Sequence, residues 1–357
     1  MEQFVQQHIQ QAAGSSTLHT LDMLSLLDKK NQLVYLDSIG ESVPMWLDQV
    51  QALPDHFLRF IQLRSKLLAL ARTYPTHPHL VTWTSLLSTR MAGALNVVQC
   101  QTLSAHTPST LLEKIVQYET VHAVANNTDL ERRLGPDRRV YALTHPDFPM
   151  EPLAFVHVAL TEQSPTSVQS ILQQPYPCTS TIPSFAICYS INTQSGLGGL
   201  KLAHHLINHV VHDLSSQFPS IHTFATLSPI PGFRRWFAER QEDRKSLDPS
   251  NPNAQPALLH LCANYLLLQR RSSGHALDPV AHFHLRNGAS IQNLHGLADD
   301  SEKGMQESMG MMVNYQYAPL RLEHHQKRYR EDGIIFADQS IAPDLHHSRL
   351  VRLDPAT

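Results

Sequence analysis

Ser228 stands in the stretch "FATLSPIPGFRRW", at the end of an apolar run and directly before Pro229, Pro231 and Gly232. Proline fixes its own φ and restricts the residue before it, so this serine is presented by a stiff backbone. A hydroxyl held that way can be positioned for chemistry, but serine before proline is also an ordinary turn residue. No GxSxG elbow surrounds it, so a hydrolase nucleophile is not supported.

The second group is the glycine loop Gln194-Ser195-Gly196-Leu197-Gly198-Gly199, followed by Leu200 and Lys201. Glycines let backbone N–H groups approach a ligand closely, and a following helix offers its positive end to phosphate. The loop lacks the Lys-Ser/Thr of a P-loop and the GxGxxG spacing of a dinucleotide fold, so neither assignment applies. Taken singly, His284 reads as a core histidine and Tyr317 as a half-buried aromatic. His205, His209 and His212 share a helical face, but without the glutamate of HExxH they read as a solvated face rather than a zinc site. The clusters Arg132, Arg133, Arg138, Arg139 and Arg234, Arg235 read as solvent-facing or acid-paired, with a phosphate-binding role as the alternative.

The elements that must position these groups are legible from periodicity. Residues 1–105 read as a helical domain, with Pro54 marking a helix start and Phe60, Leu63, Leu67 and Leu70 at helical spacing. Its plain reading is packing or oligomerisation. The stretch "WTSLLSTRMAGALNVVQCQTL" reads as a further helix. Residues 154–161 alternate like a strand, and 185–191 and 221–228 read as two more. Between the last two lie the glycine loop and an amphipathic helix, 200–218. Strand, loop, helix, strand is a βαβ unit, so the two strands are expected to be parallel. Ligands gather at the carboxyl ends of such strands. "ALLHLCANYLLLQRR" reads as a helix. His282 and His284, two apart, share a side if their segment is extended. Residues 239–256 read as a surface loop.

Bulk composition excludes other classes. The 357 residues are 42% apolar and 17% charged, enough for a sizeable core. A net charge of −3 gives no sign of general nucleic-acid binding. Cys100, Cys178, Cys188 and Cys262 form no CxxC pair, which fits a reducing, cytoplasmic setting. The start of the chain reads as neither a signal nor a transit peptide, and no apolar run is long enough to span a membrane.

Over residues 105–340, a series of motifs in order resembles the malonyl-CoA decarboxylase family. They are "DLERRLGPDRRVY", "EPLAFVHVALT", "YSINTQSGLGGLKLAHHLINHVV", "LSPIPGF", "LCANYLLLQRRSSGHALDPVAHFHLRNGA" and "LADDSEKGMQESMGMMVNYQY". The resemblance implies an α+β chain: an N-terminal all-helical domain, 1–105, then a mixed α/β catalytic domain of the GNAT acetyltransferase-like fold, 106–357. It implies an acyl-CoA substrate and no metal or other cofactor; the helical domain, read above as a packing or oligomerisation domain, is expected to form a homo-oligomer. The resemblance places catalytic roles on Ser228, His284 and Tyr317. It gives the coenzyme A contacts to Gln194, Ser195, Gly196, Leu197, Gly198, Gly199 and Lys201. The implied reaction converts malonyl-CoA to acetyl-CoA and CO₂ through an enolate. Lys201 departs from the family, which usually has a glutamate there, and the N-terminal domain and the loop after Trp236 are shorter than usual. These departures admit an alternative in which the acetyl group passes to an N-hydroxylated amine, as in siderophore biosynthesis.

Overall fold

The computed structural model describes residues 27–38, 43–174, 182–240, 247–341 and 351–354. The readings made for residues 1–26, for Cys178 and for 241–246 of the 239–256 loop lie outside these residues; the last part of that loop is helical from Pro252 on rather than irregular. Contacts divide the chain into two units. The first is Met1–Gln99 with Leu143–Leu153 and Thr193–Leu202, and the second is the remainder.

In the first unit the described helices are α1 (Lys29–Ser38), α2 (Val43–Gln51), α3 (His56–Thr73) and α4 (Pro78–Leu95). Phe60, Leu63, Leu67 and Leu70 are all buried on α3, as their spacing predicts. Pro78 occupies the start of α4, where its missing N–H costs nothing. The helix expected from "WTSLLSTRMAGALNVVQCQTL" stops at Leu95, and Gln99–Leu103 is a strand, β1. The segment Val97–Val98 before the strand breaks the 3.6-residue pattern in favour of β-branched residues, which suit a pleated surface.

The second unit holds most of a mixed sheet. Its other strands are β2 (Arg138–His145), β3 (Phe148–Thr161), β4 (Phe185–Thr193), β5 (Thr223–Thr226), β6 (Ser228–Pro229), β7 (Ser290–His295), β8 (Met312–Gln316), β9 (Ile335–Asp338) and β10 (Val351–Asp354). The order is β1-β2-β3-β4-β5-β8-β7-β9-β10, with β6 paired to β8. β4 and β5 are parallel, pairing Ile187 with Ala225 and Cys188 with Thr226, as the βαβ reading requires. β5, β6 and β7 each pair antiparallel with β8. On β3 every residue from Leu153 through Leu160 is buried, His157 included, so both faces of that strand are covered.

The helices of this unit are α5 (Ser109–Tyr118), α6 (Asn127–Arg133), α7 (Val168–Leu172), α8 (Leu202–Gln217), α9 (Phe233–Ala238), α10 (Gln255–Leu268), α11 (Pro279–Arg286), α12 (Glu302–Ser308) and α13 (Leu322–Asp332). α8 buries Leu206, Ile207, Val210 and Leu214 and exposes His205, His209 and His212, which gives the solvated face expected of those histidines. The segment with His282 and His284 is helical rather than extended. Asp278 caps it, accepting from the Val280 and Ala281 amides at 2.9 Å each, and Pro279 sits in the first turn. On a helix residues two apart point away from one another, so His282 and His284 do not share a side.

Candidate active site

The side chains of Ser228, His284 and Tyr317 meet inside the second unit. Leu227 follows the end of β5 and Ser228 opens the two-residue strand β6, opposite Val313 of β8. Its Oγ is 3.2 Å from Nε2 of His284 and 2.9 Å from Oγ1 of Thr226. Nδ1 of His284 is 2.7 Å from the Tyr317 hydroxyl. All three side chains are buried. The imidazole also stacks on Tyr315, centroids 4.4 Å apart and planes 19° apart. Tyr315 and Tyr317 are two apart on β8 and its continuation, so one edge holds the ring flat and the other holds its nitrogen.

Burial pushes the His284 imidazole down to about 3, so the ring is neutral at physiological pH. Burial likewise pushes the Tyr317 phenol well above its usual range, so it keeps its proton. A neutral imidazole has one donor and one acceptor nitrogen. Among the described residues Tyr317 O–H has no other acceptor. Counting protons therefore gives one direction: Tyr317 O–H to Nδ1, Nε2–H to Ser228 Oγ, Ser228 O–H to Thr226 Oγ1. The result is a protonated Nε2 and a serine hydroxyl side by side, two neutral donors in a dry setting.

The backbone around this trio is tied at both ends. Oδ2 of Asp278, the cap of the His284 helix, accepts from Gly232 N at 3.2 Å, which joins the serine turn to that helix. Ser308 Oγ accepts from Ile230 N at 3.0 Å. Gly232 is required: a Cβ there would lie 2.0 Å from the Tyr265 hydroxyl. Thr226 Oγ1 also accepts from Tyr315 N at 3.2 Å, and Asn314 Nδ2 donates to Thr226 O at 2.6 Å.

Sequence reasoning missed Thr226, Tyr315 and Asp278. The first two had a usable signal, since each lies two residues from a site residue on a strand and so faces the same way. Asp278 had one too, as Asp before Pro at a helix start is a cap pattern.

The glycine loop belongs to the first unit. Gln194 donates to Glu151 and to the Pro152 carbonyl, fixing the start of the loop on β3 itself. Ser195 Oγ is 2.7 Å from Ser65 Oγ on α3. Gly199 has φ +84° and Lys201 φ +64°, the latter exposed and in a region that disfavours a side chain. Leu197 is buried, Gly198 and Gly199 are not.

The arginine cluster is structural. Arg132 and Arg138 both pair with Asp137 at 2.6 Å, and Arg133 pairs with Asp129 at 2.8 Å. All three arginines are buried. Their forks also hold the carbonyls of Gln174, Ile171 and His122, so they do not face solvent and are not available to phosphate. Arg234 reaches the Met305 carbonyl at 2.9 Å.

A second buried polar group centres on Glu119. It accepts from Ser190 Oγ, Asn192 Nδ2 and the amides of Val121 and His122. His157 Nε2 stands 3.2 Å away, at ion-pair distance but outside hydrogen-bond geometry. Burial pushes the carboxyl up, but His157, Ser190 and the His122 amide outweigh it and hold the group at about 2. No group of three or more His, Cys, Asp or Glu side chains among the described residues is arranged to hold a metal ion.

Comparison with known proteins places the chain in a family. The family model for the malonyl-CoA decarboxylase C-terminal domain matches residues 96–255 and 247–353. Mitochondrial malonyl-CoA decarboxylase of Mus musculus is 35% identical over 314 residues, covering 74% of this chain and 63% of the relative. The Anser anser anser enzyme is 35% identical over 310 residues, covering 73% and 61%. The chain thus spans less than two thirds of the length of these relatives. Crystal structures of malonyl-CoA decarboxylase from Rhodopseudomonas palustris and Agrobacterium vitis each give a TM-score of 0.75 at 30% identity over 92% of this chain, and over 85% and 86% of theirs. The buried serine, histidine and tyrosine thus sit in a chain that belongs to the malonyl-CoA decarboxylase family.

Proposed function

We propose that this protein decarboxylates malonyl-CoA to acetyl-CoA and CO₂. The observation that carries the reading is the hydrogen-bonded series Tyr317, His284, Ser228 around a neutral, buried imidazole. When the bond from the α-carbon to the carboxylate breaks, CO₂ departs and the electron pair stays behind as a thioester enolate. The site must stabilise that oxygen and return a proton to carbon. Donors aimed at a developing oxyanion are worth ~3 kcal/mol each, and a positioned acid ~10²–10⁴ in rate. Nε2–H of His284 and O–H of Ser228 are the two donors for the malonyl group, and one of them delivers the proton. Tyr317 holds Nδ1 and so keeps the proton on Nε2. Within the Gly196 to Leu200 stretch, the amides of Gly196, Gly198 and Gly199 take the coenzyme A phosphates, since those of Leu197 and Leu200 already donate to carbonyls, with Gln194, Ser195 and Lys201 beside them. The chemistry draws on side chains and amides alone.

Steady-state kinetics of Ser228→Ala and His284→Asn test the assignment, with CO₂ release and acetyl-CoA both measured. A loss of at least about a hundredfold in kcat is expected for each, and near-wild-type turnover in both sinks it. Running the wild type with and without an N-hydroxylated diamine tests transfer: an acetylated diamine replacing acetyl-CoA would make the protein a decarboxylating acetyltransferase.

Two further points belong to this reading. The chain is proposed to self-associate through the helical region, which light scattering of the purified chain checks. Cys100, Cys188 and Cys262 are unpaired, which suits a reducing compartment such as the cytoplasm; cell fractionation decides it. No described helix is long and apolar enough to cross a membrane.

A further inference from the structure

The first unit contains a buried guanidinium that the reaction does not explain. Arg64 sits in the apolar stripe of α3, between Phe60 and Leu67, and is 6% exposed. Its Nη1 donates to the carbonyls of Gly196 at 2.6 Å and Gly198 at 3.0 Å, and its Nε to Ser88 Oγ at 3.0 Å. Among the described residues no carboxylate pairs with it.

A buried arginine is ordinarily matched by a carboxylate, because an unmatched charge in a dry setting is costly. Here the charge is met only by two peptide oxygens and a hydroxyl, which leaves a net positive charge behind the glycine loop. The loop has two unlike sides. On the inner side a Cβ at Gly196 would lie 2.0 Å from the Ile61 carbonyl oxygen, so the loop is pressed onto α3. On the outer side a Cβ at Gly198 or Gly199 would meet nothing within 4 Å. The peptide between Gly198 and Gly199 is trans, so its N–H points opposite to its C=O. With that C=O gripped by Arg64, the Gly199 N–H is turned to the open side, and no described group accepts from it.

We propose that Arg64 is a positioning residue for the phosphates of the acyl-CoA. It turns the Gly198–Gly199 peptide so that its amide faces the anion, and it supplies the uncompensated charge behind that amide. This rests on the reading that the glycine loop receives coenzyme A. It also gives the helical region a part in substrate binding beyond packing or self-association.

The test compares two substrates in the full-length protein: malonyl-CoA and malonyl-pantetheine, a thioester without phosphates. The wild type is expected to prefer malonyl-CoA through KM. Arg64→Ala is expected to raise KM for malonyl-CoA about tenfold more than KM for malonyl-pantetheine. Arg64→Lys keeps the charge but has one nitrogen where arginine uses Nη1 for the two carbonyls and Nε for Ser88, so it is expected to fall between. Should Arg64→Ala not fold, Arg64→Lys and Ser88→Ala carry the comparison, each with a smaller rise confined to malonyl-CoA. An equal change for both substrates, or no change, overturns the role of Arg64. A wild type that does not distinguish the two substrates overturns the phosphate reading of the loop itself.

Discussion

The phenolic oxygen of Tyr317 lies 2.7 Å from Nδ1 of His284, and the other nitrogen of that ring lies 3.2 Å from the Ser228 hydroxyl. The first contact decides what the second can do. A phenol that keeps its proton donates to Nδ1, and the ring then presents N–H toward the serine.

Replacing Tyr317 with phenylalanine removes that constraint while leaving the ring in place. Nδ1 is then free to carry the proton, and Nε2 becomes an acceptor in part of the molecules. The expected result is a fall in kcat of roughly ten- to a hundredfold with little change in KM, since the lost interaction acts on the reacting centre rather than on coenzyme A. Steady-state kinetics on malonyl-CoA measure it, and an unchanged kcat would show that the tautomer does not matter.

The His284 imidazole titrates at about 3 in the folded chain, against 6.5 for an exposed histidine. Between those values the unfolded chain binds a proton at this residue and the folded chain does not. Stability therefore rises with pH across that window, and acid removes it, by about 1 kcal/mol per pH unit for this one group. His284→Asn is expected to flatten the slope by that amount between pH 4 and 6 in urea titrations. In the free enzyme, kcat/KM is expected to show no inflection from His284 between pH 5 and 8.

Glu119 has a depressed carboxyl, at about 2 against 4.5. Its contribution to stability is complete above about 4.5 and is lost as pH falls toward about 2. Glu119→Ala leaves the Ser190 hydroxyl, the Asn192 amide and two backbone amides without their acceptor. A loss of ~3 kcal/mol or more is expected. Glu119→Gln, which keeps one oxygen, is expected to lose less. Denaturant unfolding at pH 7 ranks the two.

Gly232→Ala places a methyl group 2.0 Å from the Tyr265 hydroxyl. The turn carrying Ser228 must shift, and a stability loss of ~1–3 kcal/mol with a clear loss of turnover is expected. Adding Tyr265→Phe removes the offending oxygen and is expected to restore part of both. Failure of the double variant to recover anything would place the defect elsewhere than in this contact.

Much of the scaffold is written locally. The apolar stripe of α3, the βαβ unit of β4, α8 and β5, and the solvated histidine face of α8 follow from periods of 3.6 and 2 that short stretches display. Other features stay open in the sequence because they need partners outside the local stretch. The arginines after Asn127 could face solvent or pair with acids; Asp129 and Asp137 decide for the acids, and the carbonyls of Gln174 and Ile171 complete their burial. The strand Gln99–Leu103 was hidden at the end of a helical pattern, since strand pairing depends on a partner the local sequence does not contain.

By itself the sequence determined the order of motifs and the identity of Ser228, His284 and Tyr317 as residues worth testing. Only the tertiary structure decided that they touch. Their numbers differ by 56 between Ser228 and His284 and by 33 between His284 and Tyr317, so no periodicity relates them. Tertiary structure also decided the charge state of His284, because removal from water rather than a neighbouring charge sets it. The same is true of Arg64. On a helical wheel it is one polar interruption of an apolar stripe, and its reach to Gly196 and Gly198, more than 130 residues on, exists only once the chain has folded.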